Sequence, residues 1–352
     1  MRELFAALLA GAIVLALTPL VRRWVVRHGL LKPPSDRSMH RRPMPHMGGL
    51  AIIGGFTVAA AATSWHSPGV LGLLAGGLVI ALVGVVDDIW NLRPWQKLLG
   101  QIASGIVLAM LGSRIGWVTN PFGGILYTGT VGYVLTVVWV VAVENMVNLA
   151  DGLDGLASGI TAIASLAMLV VSLHRGDIVS AVLSAAIAGA TIGFLRDNFA
   201  PANIFLGDTG AMYLGYVLAA LAVLGTDKQA AALAIGVPVL ALGLPFFDTA
   251  FAIVRRLKSH QPIGQADSGH LHHRLIDRGL SQRRAVLLLY TVAVACGLGA
   301  VLVVLLPRGL GFALVAALLL GLLIVGMRSG LLVMQKSTTQ PIPQSHDGGV
   351  AR

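Results

Sequence analysis

Residues 70–90 read VLGLLAGGLVIALVGVVDDIW, in which an uncharged apolar run from Val70 to Val86 is followed at once by the adjacent acids Asp87 and Asp88. A helix needs about 20 predominantly apolar residues to cross a bilayer. This stretch therefore predicts a membrane-spanning helix that carries two carboxylates at one end. Similar apolar runs recur along the chain and decide its fold class.

The composition indicates the same class. Of the 352 residues, 56% are hydrophobic and 11% are charged, whereas soluble domains contain about 25% charged residues. A soluble protein is excluded, and repeated apolar runs exclude a single anchor. We expect an all-α polytopic membrane protein with about 10–11 transmembrane helices. It should form one domain over residues 1–335, followed by a disordered polar tail over 336–352. The candidate spans are Leu4–Leu20, Gly48–Thr63, Val70–Val86, Leu98–Leu111, Val131–Val147, Ile160–Leu173, Ile178–Leu195, Ala211–Leu224, Ala230–Phe247, Ala285–Leu306 and Gly309–Val325.

The basic residues predict the orientation. If the loop after the first span is cytoplasmic, 20 of the 25 Lys and Arg residues fall on that side and 5 on the other, as the positive-inside rule expects. Arg22 and Arg23 follow the first span and no basic cluster precedes it, so we expect that span to be retained with the N-terminus outside. The net charge of +10 is then a topology signal, and we predict no nucleic-acid partner.

The carboxylates are distributed unevenly. Of the 15 Asp and Glu residues, twelve fall on the predicted cytoplasmic side, many of them at span ends, where a carboxylate is costly unless it is paired or binds a cation. A single Asp can cap a helix, and Asp208 could do only that for the eighth span. Capping does not explain Asp87 and Asp88 at a C-terminal helix end, where the helix dipole disfavours negative charge. We expect Mg²⁺ or basic side chains beside them.

Three other segments carry polar groups. Residues 145–159, NMVNLADGLDGLASG, interrupt an apolar stretch, which is costly unless the backbone lines a cavity. The segments Asp36–Arg42 and Arg255–Arg284 bring Arg and His donors that suit phosphate, although topology alone could account for such cations. The single cysteine, Cys296, and the spacing His270-Leu271-His272-His273 match no common zinc site. We infer a cytoplasmic-face pocket for a phosphate-bearing molecule and a divalent ion.

The polar residues fall into five motifs in order. They are Asp36-x-x-x-His40 with Pro45-x-x-Gly48-Gly49; Gly84-x-x-Asp87-Asp88 with Lys97 and Gln101; Asn145-x-x-Asn148-x-x-Asp151-Gly152-x-Asp154-Gly155; Phe205-Leu206-Gly207-Asp208-x-Gly210; and His270-x-His272-His273. Together they resemble the polyprenyl-phosphate N-acetylhexosamine-1-phosphate transferase family, glycosyltransferase family 4. The peptidoglycan branch of that family typically has three consecutive histidines in the last motif, whereas this sequence has His-x-His-His and resembles the branch acting on UDP-N-acetylglucosamine.

The resemblance implies a reaction and a setting. N-acetylglucosamine 1-phosphate would pass from UDP-N-acetylglucosamine to undecaprenyl phosphate, releasing UMP, as the first membrane step of a cell-envelope glycan. The enzyme would be a multi-pass protein of the bacterial inner (plasma) membrane. Its partners would be the UDP-N-acetylhexosamine, undecaprenyl phosphate and the bilayer, with a homodimer left open.

The resemblance also implies residue roles. Asp208 would be the principal Mg²⁺ ligand, with Mn²⁺ as an alternative ion, and Asp88 would assist through a water. Asp87 would be either a base or a positioning residue, because a phosphate monoester has a second pKa of about 6 and needs little deprotonation at pH 7. His272 completes the catalytic set. The substrate-binding set is His40, Arg41, Lys97, Asn145, Asn148, Asp151, Asp154, Phe205, His270, His273 and Arg274.

Within these sets some choices stay open. Asn148, Asp151 and Asp154 would hold the uridine, while Phe205 either stacks on uracil or packs at the membrane interface. Asp248 is expected to pair with Arg255 or Arg256. The alternatives for the whole protein are phospho-N-acetylmuramoyl-pentapeptide transfer, an ion-coupled transporter and a non-catalytic lipid-binding scaffold. A transporter predicts acids near mid-bilayer and an inverted repeat, and neither is evident in the sequence.

Overall fold

The structure is a computed structural model that describes residues 1–33, 43–67, 69–119, 125–226, 239–240, 242–258 and 271–307, together with scattered residues between 310 and 324. The predicted tail, residues 336–352, lies outside these ranges, as do His40, Arg41 and His270. In the described part the helices are α1 (Arg2–Arg27), α2 (Gly49–Ser64), α3 (Val70–Trp90), α4 (Pro94–Leu111), α5 (Val131–Ala150), α6 (Leu156–His174), α7 (Ile178–Asn198), α8 (Gly207–Thr226), α9 (Gly243–Lys258), α10 (Leu271–Asp277) and α11 (Gln282–Leu305).

Two short antiparallel hairpins accompany the helices. Strands β1 (Leu31–Lys32) and β2 (Met44–Pro45) pair with Leu31 opposite Pro45, and β3 (Trp117–Thr119) pairs with β4 (Ile125–Tyr127). The first strand pair thus places residues 31–32 beside residues 44–45, which flank Asp36 and His40 in the sequence.

The prediction of an all-α polytopic membrane protein is confirmed. Seven of the described helices are long and apolar enough to cross a membrane: α1, α3, α5, α6, α7, α8 and α11. Helix α2 is apolar but has only 16 residues. The predicted span Ala230–Phe247 falls largely on residues outside the described ranges. Residues from Gly243 to Lys258 form one helix, so Arg255 and Arg256, predicted to lie in a loop, are helical.

Helix α8 lies at the centre of the fold. It packs against α3 and α5 and also contacts α2, α6 and α7, while α1 packs against α7 and α2. Its side chains Tyr213 and Tyr216 are among the largest that are fully buried. Close backbone approach sets its position, because a Cβ on Gly49 of α2 would lie only 2.2 Å from the Cα of Gly210. Small residues permit this helix contact in a membrane protein, and it holds the first turn of α8 in place.

Candidate functional site

The predicted acidic centre forms where four helices begin or end. Asp87 and Asp88 lie in the last turn of α3, Lys97 in the first turn of α4, Asn148 in the last turn of α5 and Asp208 in the first turn of α8. The chain can reverse sharply after α3 because Asn91 adopts a left-handed conformation and Pro94 begins α4. Residues separated by up to 120 positions in the sequence are thereby brought into contact.

Lys97 is the basic partner expected for the acid pair. Its Nζ contacts Oδ2 of Asp87 and lies 3.5 Å from Oδ1 of Asp208. The other oxygen of Asp87 accepts the N–H of Leu92 over 2.9 Å, and only 2% of the Asp87 side chain is exposed. Both Asp87 oxygens are therefore in contact with protein groups, which favours a positioning role over that of a base.

Asp88 has a partner that is not a side-chain cation. Its Oδ1 accepts the N–H of Asp208 over 3.0 Å, and its Oδ2 accepts both the N–H and the hydroxyl of Thr209 over 3.1 and 2.6 Å. These donors belong to the positive N-terminal end of α8. Asp88 therefore caps α8, and the view that Asp208 serves only as the cap is wrong. The carbonyl of Asp88 in turn accepts a hydrogen bond from Nε2 of His46 over 3.1 Å.

The Asp208 side chain remains partly exposed at the acidic centre. Its Oδ1 accepts a hydrogen bond from Nδ2 of Asn148 over 2.8 Å, and 28% of its side chain is exposed. Among the described residues no group of three or more His, Cys, Asp or Glu side chains is placed to hold a metal ion. Mg²⁺ takes only one or two carboxylates and completes its shell with water and substrate phosphates, so Asp208 fits that use. Asp88 fits it less directly, because both of its oxygens already accept hydrogen bonds.

The turn between α5 and α6 holds two further predicted residues. Asp154 is 7% exposed, and its Oδ2 accepts the N–H of Ala202 over 2.9 Å, which ties the start of α6 to the segment preceding α8. Asp151 lies at the end of α5. Burial and the negative charge of Asp208 raise the pKa of Asp151 from 3.8 to about 8. Asp151 is therefore protonated far more readily than an exposed carboxyl group.

Asn145 lies one turn below Asn148 on α5. Its Nδ2 donates to Oε1 of Gln101 and to the carbonyl of Val141, each over 2.8 Å. The structure thus gives Asn145 a contact between α4 and α5, in addition to the predicted substrate contact.

The segment before Asp208 is paired with the end of the first predicted motif. Phe205 donates its N–H to the carbonyl of Pro45 and accepts the N–H of Gly48, both over 2.9 Å. The Phe205 side chain is half-buried, so the choice between uracil stacking and packing stays a prediction. This pairing places the ends of the segment that contains His40 and Arg41 beside the acidic centre.

The histidine motif is described only in part. His272 and His273 lie in α10, but their side chains are outside the described set, so their predicted roles remain predictions. Arg274 follows them and is buried. The start of α10 is held by Asp248 of α9, whose Oδ1 accepts the N–H of Leu271 over 2.9 Å. The expected pairing of Asp248 with Arg255 or Arg256 stays a prediction.

Sequence reasoning missed His46 and Thr209. Both lie within quoted motifs, at variable positions, and both contact Asp88 rather than the open side of the centre. Thr209 is adjacent to Asp208, which was the available signal. His46 is 42 residues from Asp88, and no pattern of residue types indicates a contact with a backbone carbonyl.

The sequence is similar to those of several known proteins. Residues 70–226 match the Glycosyl transferase family 4. A Bacillus subtilis protein named probable undecaprenyl-phosphate N-acetylglucosaminyl 1-phosphate transferase is 36% identical over 82% of this chain and 81% of its own. The Mycobacterium leprae decaprenyl-phosphate N-acetylglucosaminephosphotransferase is 34% identical over 91% and 89%. A phospho-N-acetylmuramoyl-pentapeptide-transferase of Levilactobacillus brevis is 29% identical over 87% and 99%.

Proposed function

Since the chain belongs to glycosyl transferase family 4, we propose that it transfers N-acetylglucosamine 1-phosphate from UDP-N-acetylglucosamine to undecaprenyl phosphate and releases UMP. The relatives named above support a polyprenyl-phosphate hexosamine-1-phosphate transferase. The observation that carries the proposal is the junction of four helix ends, at which Asp208 is oriented by Asn148 and faces Lys97 while remaining partly exposed.

The reaction exchanges one phosphoanhydride for another. An oxygen of the lipid phosphate attacks the phosphorus bonded to the sugar, the bond to the UMP oxygen breaks, and UMP leaves with its negative charge. The chemical difficulty is that two anions must meet, so charge neutralisation and positioning supply most of the catalysis. No ATP is required, because the number of phosphoanhydride bonds is unchanged.

Each residue of the acidic centre would have a separate role in this reaction. Asp208 would hold Mg²⁺, which when bound supplies positive charge to the diphosphate. Lys97 adds a second positive charge and keeps Asp87 paired. Asp88 fixes the first turn of α8, and with it the direction of the Asp208 side chain. Asn148 fixes the Asp208 carboxylate itself, so that the site is preorganised before substrate arrives.

Two features support N-acetylglucosamine over the muramoyl-pentapeptide. The relatives named for N-acetylglucosamine are 36% and 34% identical, against 29% for the muramoyl-pentapeptide transferase. The last motif is His-x-His-His, with Leu271 interrupting the histidines.

The twenty-to-five division of basic residues supports a site on the cytoplasmic face of the bacterial inner membrane.

A substrate panel tests the proposal. Purified protein would be given Mg²⁺ and undecaprenyl phosphate with UDP-N-acetylglucosamine, UDP-N-acetylgalactosamine or UDP-N-acetylmuramoyl-pentapeptide, and UMP release would be measured. We expect the highest kcat/KM with UDP-N-acetylglucosamine. Preference for the muramoyl-pentapeptide would reassign the substrate, and absence of UMP release with all three would refute the transferase proposal.

A further inference from the structure

A carboxyl group that the proposed reaction does not use lies inside the helical body. Glu144 of α5 is fully buried, and its Oε1 accepts a hydrogen bond over 2.9 Å from the hydroxyl of Ser104 of α4, which shares its hydrogen with the carbonyl of Gln101 2.7 Å away. No hydrogen-bond partner for its Oε2 is found in the part of the chain that the structure describes. An ionisable group inside a membrane helix is costly and is a candidate for a functional role.

The position of Glu144 relates it to the acidic centre. Ser104 follows Lys97 by seven residues on α4, and Gly215 follows Asp208 by seven residues on α8. Seven residues make about two helical turns, so each pair lies on one face of its helix about 10 Å apart. On α5, Glu144 precedes Asn148 by one turn.

All three helices meet at Glu144. The hydroxyl of Ser104 reaches it from α4, and α8 approaches so closely that a Cβ on Gly215 would lie 2.6 Å from the Cα of Glu144. Between this junction and the acidic centre, the Gln101–Asn145 hydrogen bond again joins α4 to α5. The same three helices thus contact one another at successive levels from Glu144 up to Asp208.

We propose that Glu144, through its hydrogen bond with Ser104, is a positioning residue for the transferase site. It fixes α4 on α5 beside the close contact with α8, so that Lys97 and Asn148 both reach Asp208. The inference rests on the proposed function, because its consequence is measured as transfer.

Simple packing would favour a different residue at position 144. Replacing a buried polar group by an apolar group of similar volume is often neutral or stabilising when no partner is left unsatisfied. In Glu144→Leu the Ser104 hydroxyl keeps the carbonyl of Gln101 as its acceptor. If Glu144 served packing alone, leucine would preserve both stability and activity. If it positions the site, leucine preserves the fold but lowers kcat, since small displacements of catalytic groups are costly.

The experiment compares Glu144→Leu, Glu144→Gln and Ser104→Ala with the control Thr191→Val. Thr191 is a fully buried hydroxyl that bonds only to carbonyls of its own helix α7 in the described structure. We expect Glu144→Leu to lower kcat by about 10- to 100-fold, with the KM for UDP-N-acetylglucosamine changed by less than about threefold. Glu144→Gln should retain most activity, because its amide oxygen still accepts from Ser104, and Thr191→Val should match the wild type.

The outcomes separate the two proposals. Wild-type kcat in both Glu144→Leu and Ser104→Ala would overturn the positioning role while leaving the transferase proposal intact. Failure of Glu144→Gln to restore activity to folded protein would also overturn it. If Glu144→Leu does not fold, Ser104→Ala decides, because it removes a single hydroxyl, bonded to Glu144 and to the carbonyl of Gln101, and keeps the Glu144 side chain. A wild-type protein that releases no UMP overturns both.

Discussion

Replacement of Lys97 by methionine gives the most informative perturbation of the site. The substitution keeps the length of the side chain and removes its charge. Lys97 touches Asp87, of which 2% is exposed, and lies 3.5 Å from Asp208. The variant therefore leaves one buried carboxylate unpaired and a second without its nearest described cation.

The magnitude follows from these contacts. Two unit charges 3.5 Å apart interact by about 4.7 kcal/mol at an effective dielectric constant of about 20. Desolvation of both ions offsets part of that, and breaking a buried pair costs about 3 kcal/mol. We expect the free energy of unfolding to fall by about this amount, and UMP release to fall on the order of 100-fold because a preorganised positive charge is lost.

The assay combines unfolding of the purified protein in mixed micelles, by titration with sodium dodecyl sulfate, with UMP release. Adding Asp87→Asn to Lys97→Met should recover part of the stability, because the buried charge of Asp87 is removed while that of Asp208 remains, but it should not recover activity. Arg23→Met, at an exposed position of α1, is the control for loss of a cation. Wild-type stability in Lys97→Met, or an Asp87→Asn addition that recovers nothing, would refute the reasoning.

Two further perturbations test other parts of the structure. Gly49→Ala should destabilise the fold by about 1–3 kcal/mol or more, since its Cβ would lie 2.2 Å from Gly210. In the control Gly116→Ala the new Cβ meets no described atom within 4 Å, and equal thermal midpoints of the two variants would contradict the close contact. The raised pKa of Asp151, about 8 against 3.8, means that the native state retains a proton that the unfolded state has released. Stability should therefore fall between about pH 4 and pH 8 and level off above, and Asp151→Asn should reduce that slope; an unchanged slope would contradict the shift.

The sequence was sufficient to predict which acids meet, but not every partner. Runs of apolar residues located the helices that carry Asp87, Asp88 and Asp208, and the need for positive charge beside them was met at Asp87 by Lys97. The partners of Asp88 are two backbone N–H groups and the Thr209 hydroxyl at the start of α8. Backbone donors are common to nearly all residues, so no pattern of residue types marks them.

Helix boundaries were displaced for a related reason. The eighth span was predicted to begin at Ala211, but α8 begins at Gly207, because Asp88 caps residues whose composition suggests a loop. The start of α6 is also displaced, to Leu156 from the predicted Ile160. For α8 a tertiary hydrogen bond extends the helix into polar sequence.

Mg²⁺-dependent release of UMP from UDP-N-acetylglucosamine by wild-type and Asp208→Asn protein tests the central claim most directly. The Asn148 hydrogen bond can persist in the variant while the negative charge is lost, and we expect release to fall on the order of 100- to 1,000-fold. Asp177→Asn, at the cap of α7, should retain wild-type release. Undiminished release by Asp208→Asn at every Mg²⁺ concentration would contradict the account.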